Sequence, residues 1–90
     1  MAAEKTMSID AAAARTYEVA EHLQRQGHWR ASDCPEMAFA HIMGMWDQWS
    51  DDMSDEKKCR WLGWMQATIV AMTYPKANLL GMKMLNRDYL

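Results

Sequence analysis

Cysteine, proline and glycine are scarce in this 90-residue chain, with 2 Cys, 2 Pro and 4 Gly, and each shortage excludes something. Cys34 and Cys59 are too few for a disulfide-dense secreted scaffold. The glycines at 27, 44, 63 and 81 lie far apart, so no glycine-rich loop is available to cradle a phosphate. Long apolar runs are missing too. The longest stretch without a charged side chain is the fifteen residues from Trp61 to Pro75, short of the roughly 18 to 20 needed to cross a bilayer. The start, Met1-Ala2-Ala3-Glu4-Lys5, lacks the basic and apolar regions of a secretory signal, and a reducing cytoplasm is the expected location. Charge of one sign is also lacking. Ten Lys and Arg against twelve Asp and Glu leave a formal charge of -2, which argues against a general polyanion binder and gives no support for a membrane partner.

What remains is half hydrophobic and about a quarter charged, the composition of one small helical domain over residues 1–90, with 1–7 expected to be flexible. Ser8 reads as an N-cap and Asp10 as a first-turn acid. Ala12, Ala13, Thr16, Val19, Ala20 and Leu23 then recur at three- and four-residue spacings up to Gly27, predicting a helix over 9–26 with a small-residue inner face. Asp33 and Glu36 around Pro35 suggest a capping box and a second helix over 34–50. Its apolar arc of about 160° holds Ala38, Phe39, Ile42, Met43, Met45, Trp46 and Trp49. Ser54-Asp55-Glu56 opens a third helix running to Tyr74, expected to be the most buried. Its large-residue face is Trp61, Leu62, Met65, Ile69 and Met72, and Gly63, Ala67 and Val70 form a small-residue stripe for a second neighbour. Pro75 breaks the pattern, and residues 76–87 predict a short C-terminal helix. No strand-like alternation appears, so the expected fold class is all-α: a small single-domain bundle of three main helices plus the C-terminal one.

Residues capable of chemistry are few. His22, His28, Cys34 and His41 are zinc-compatible types, but five, five and six residues intervene between them and no short ligand pair starts a site; no metal or other cofactor is expected. Cys34, in the first turn of a helix, is the better candidate for a reactive thiol, yet nothing sets a base beside it and no catalytic residue is expected. Asp47, Asp51, Asp52, Asp55 and Glu56 put five acids within ten residues. They lack the EF-hand spacing and read as a solvated turn able to steer a basic partner. Arg25, His28 and Arg30 around Trp29, then Lys57, Lys58 and Arg60 beside Trp61, and finally Lys76, Lys83 and Arg87, are short basic groups that would suit nucleic-acid contact, with acids close by.

The strongest oddity is 10 Met and 5 Trp, one residue in six. A bundle this small has little room for so many large side chains, and aromatic residues and methionine are enriched at interface centres. Trp29, Met43, Trp46, Trp49 and Trp64, with Asp51 and Asp52, are therefore the candidate partner-binding residues. The expected function is a non-enzymatic protein-interaction module, an adaptor or stoichiometric inhibitor of the sort mobile elements encode, binding another protein or itself. A helical nucleic-acid-binding regulator is the first alternative and a small metalloprotein or enzyme the second.

Overall fold

The computed structural model describes residues 8–89, so the expectation for residues 1–7 lies outside the described residues. It is an all-helical bundle in the order α1 (Ile9–Arg25), a short 3-10 turn (Pro35–Met37), α2 (Phe39–Gln48), α3 (Asp55–Thr73) and α4 (Leu79–Tyr89), with no strand among the described residues.

Helix α1 begins as its sequence dictates. Ser8 Oγ accepts from the Ala11 amide at 3.2 Å, satisfying one of the donors a helix start leaves unpaired. The helix closes at Gly27, whose φ of +78° only glycine adopts at low cost. Ala12, Ala13, Thr16, Ala20 and Leu23 are buried, and the alanines let other helices come close. Helix α1 is the element that packs against α2, α3 and α4 alike, while α3, expected to be the most buried, carries seven buried residues to the five of α1. The bundle also closes end to end, because the Ser8 amide donates to the Tyr89 carbonyl at 3.0 Å.

Helix α3 is capped by Ser54 Oγ, which accepts from Lys57 N at 3.1 Å, and ends at Tyr74–Pro75. Leu62, Met65 and Ile69 are buried as expected. Of the expected small-residue stripe only Val70 packs against the core; Gly63 and Ala67 are exposed. Polar residues take the interior instead, each matched to a partner. Gln66 Nε2 donates to Thr16 Oγ1 at 3.2 Å and to Asn86 Oδ1 at 2.7 Å, and Asn86 Nδ2 returns a bond to Gln66 Oε1 at 3.1 Å, joining α1, α3 and α4. Thr73 Oγ1 donates to the Ile69 carbonyl at 2.7 Å. Thr68 is the exception, its buried Oγ1 having no hydrogen-bond partner among the described residues.

Helix α2 departs most from expectation. The predicted continuous helix over 34–50 is a 3-10 turn, an extended Ala38 (φ -73°, ψ 150°) and a ten-residue helix. The carbonyls of Glu36 and Met37, which a continuous helix would offer to its own amides four residues on, accept instead from indoles: Trp64 Nε1 at 3.3 Å and Trp29 Nε1 at 3.1 Å. Asp33 makes no cap; Ser32 Oγ takes the Cys34 amide at 3.0 Å.

Candidate functional site

The tryptophans divide into two groups. Trp29, Trp46 and Trp49 are half-buried and packed against the core. Trp29 meets Phe39 edge-on at 5.5 Å, Trp46 stacks on Tyr17 at 6.0 Å, and Trp46 and Trp49 lie 6.0 Å apart. Tyr17, which no periodicity singles out, stacks on both Phe39 and Trp46 and so centres this aromatic row. Burial pushes its hydroxyl pKa up, helped by the negative charges of Glu21 and Asp47. The arc expected to carry partner contacts on the second helix thus turns Trp46 and Trp49 towards α1.

Trp64 and Met43 stand outside this packing, 42% and 41% exposed. Trp64 forms one wall of a groove of about 560 Å³ between α2 and α3, with Trp61, Met45 and Gly44 apolar and Glu36, His41 and Gln48 polar along it. Three devices fix this groove. The Trp64 indole is tied to Glu36 O. The Trp61 ring carries the Lys57 ammonium 5.0 Å from its centroid, a cation–π contact that holds the ring in place. The Glu36 carboxyl accepts from the Cys34 thiol at 3.2 Å, which, with its own backbone amide and the nearby His41, holds its pKa below the ordinary carboxylate range. The groove therefore presents aromatic surface beside a carboxylate that stays ionised. Met43 lies on the other flank of α2, one turn before Asp47.

Asp51 and Asp52 are exposed in the turn between α2 and α3. Asp10 joins three elements there. Its Oδ1 receives Trp49 Nε1 at 2.7 Å and the buried Lys58 Nζ at 2.8 Å. Those bonds, Lys58 first, lower its pKa, and Asp10 foremost raises that of Lys58, with the field of Asp51 and Asp55 adding to it.

The zinc-compatible residues are dispersed: His22 lines a second groove, between α1 and α4, and His41 lines the first. Among the described residues no three His, Cys, Asp or Glu side chains gather to hold a metal ion. The basic groups are broken up as well. Arg25 pairs with Glu21 at 3.1 Å and Lys58 with Asp10. Arg30 caps the end of α3, its guanidinium donating to the carbonyls of Ala71 and Tyr74 and its amide to that of Met72, where a cation also complements the helix dipole.

No protein-family model, no curated protein and no solved structure matches the chain.

Proposed function

We propose that the chain is a non-enzymatic protein-binding module, acting stoichiometrically in a reducing cytoplasm as an adaptor or inhibitor, through the Trp64 groove and the adjoining Met43 flank of α2. The observation that carries this reading is the division of the large side chains. Trp29, Trp46 and Trp49 are half-buried against the core, whereas Trp64, although its indole N–H is tied to Glu36 O, and Met43 remain about two-fifths exposed, one of them on a preformed concave surface. Tryptophan at the wall of such a surface is the commonest kind of binding hot spot, and methionine adapts to irregular partners. The exposed Asp51 and Asp52 then serve to steer a basic partner, raising its rate of encounter more than its final affinity.

Photocrosslinking tests this reading. A photoreactive residue in place of Met43, introduced in the native host, is expected to yield one discrete adduct of fixed stoichiometry, and Met43→Asp to abolish co-purification of the same protein without changing thermal unfolding. A smear of unrelated adducts, or the same adduct formed equally from a distant exposed position such as Gln24, would contradict it.

A further inference from the structure

A net charge of -2 averages over a strong segregation. Residues 1–73 hold seven of the ten Lys and Arg and eleven of the twelve Asp and Glu, while residues 74–90 hold Lys76, Lys83 and Arg87 against Asp88 alone, which pairs with Arg87 at 3.7 Å. The same segment carries most of the exposed large apolar side chains: Leu79 is 70% exposed, Leu80 67%, and Tyr74 and Met84 about half. On α4 the inner positions Met82, Leu85 and Tyr89 are buried or half-buried. Leu80, Lys83, Met84 and Arg87, spaced i, i+3, i+4 and i+7, share the outer stripe. Lys76 and Lys83 are exposed and in no ion pair among the described residues. Apolar side chains and these two lysines are therefore exposed together along this segment, Lys76 and Met84 at the edge of the groove between α1 and α4.

We propose that Tyr74 and the outer face of α4 dock on the surface of an anionic lipid bilayer, with Leu79 and Leu80 entering the acyl boundary and Lys76 and Lys83 at the phosphates. The inference is independent of the protein-binding reading, which uses the Trp64 groove and Met43. No helix among the described residues is long and apolar enough to cross a membrane, so the contact is peripheral. Three observations choose this occupant. A second copy paired two-fold through α4 would set Lys83, next to the helix midpoint, against its own mate. A partner helix needs a ridge or a groove to pack on. Leu79 and Leu80 are consecutive and splay apart, and the groove beside α4 has a mixed rim in which Arg15 and Glu18 pair at 3.1 Å and Arg87 and Asp88 at 3.7 Å. A fluid bilayer requires only protruding apolar groups ringed by positive charge, and tyrosine suits its interfacial layer.

Vesicle flotation decides the matter. The intact chain is expected to float with vesicles of equal parts phosphatidylserine and phosphatidylcholine, not with phosphatidylcholine alone, and to be released by high salt. Lys76→Gln/Lys83→Gln should weaken that binding roughly thirty-fold at physiological ionic strength, and Leu79→Ser/Leu80→Ser should weaken it at every salt concentration. All four positions are exposed, so unchanged circular dichroism certifies the fold of both variants. Equal flotation with the neutral vesicles, no flotation with the anionic ones, or wild-type binding by the Lys variant overturns the proposal. So does Lys83-dependent binding of a soluble acidic amphipathic peptide without vesicle binding, which would reassign the face to a protein.

Discussion

Replacing Thr68 by valine should stabilise this protein. Thr68 is 1% exposed and its hydroxyl has no partner. A buried hydroxyl without a hydrogen bond costs on the order of 1–3 kcal/mol of desolvation. Valine keeps the β-branch and the volume, so it introduces neither a cavity nor a new rotamer penalty. The expected gain is about 1–2 kcal/mol, which in a domain of this size raises the unfolding midpoint by roughly 4–8 °C per kcal/mol. Thr73→Val is the internal control. Thr73 is equally buried, but its hydroxyl donates to Ile69 O. That carbonyl is also a normal helical acceptor, so the loss should be small, about 0.5 kcal/mol in the opposite direction. Urea unfolding followed by circular dichroism, with m values compared, reads both. A Thr68→Val variant that is neutral or less stable, alongside an unchanged m value, would refute the reasoning and mean that the hydroxyl is hydrogen-bonded.

Gln66→Leu should cost about 1–3 kcal/mol, because it strands Asn86 and Thr16, and adding Asn86→Leu should recover part of that loss in a double-mutant cycle read by chemical denaturation. Trp29→Phe should keep the edge-on contact with Phe39 but lose the bond to Met37 O, costing about 1 kcal/mol and speeding amide hydrogen exchange at the start of α2. Gly27→Ala should cost about 1 kcal/mol by thermal unfolding, since its left-handed backbone has no need of space but does disfavour a Cβ. The Asp10 carboxyl is held below its ordinary pKa by Lys58 and Trp49, so its contribution is complete above the unfolded carboxylate range and lost as pH falls below about 4, through its depressed folded value. Asp10 is partly exposed, so screening keeps this contribution to less than about 1 kcal/mol. Asp10→Asn should flatten the acid limb of a stability–pH profile.

The limits of helices α1 and α3 are legible in the chain because their signals are local: Ser8 and Ser54 cap within three residues, and Gly27 and Pro75 stop the helix at once. The start of α2 is not legible, because the indoles that take the Glu36 and Met37 carbonyls come from Trp64 and Trp29, 28 and 8 residues away. Hydropathy also places Lys58, Gln66 and Thr73 outside, since a periodicity count cannot know that Asp10, Thr16, Asn86 and a backbone carbonyl wait to satisfy them. The same limit applies to the candidate site. A tryptophan on an apolar arc looks alike whether it packs on Tyr17, as Trp46 does, or stands at a groove, as Trp64 does. What distinguishes them is where α1 lies, and that is a tertiary fact. The excess of three cations over one acid in residues 74–90, by contrast, is visible in the sequence once segments are weighed separately and the whole-chain sum is set aside.

The five indole N–H signals of a nitrogen–proton correlation spectrum offer the most direct test of the central claim that Trp64, besides its bond to Glu36 O, meets the partner, while Trp29, Trp46 and Trp49 serve the fold alone. On titration with the protein captured from position 43, the Trp64 signal should shift or broaden, with Trp61 following, and the signals of Trp29, Trp46 and Trp49 should hold their positions. Shifts confined to Trp46 and Trp49, with Trp64 unmoved, would contradict the account.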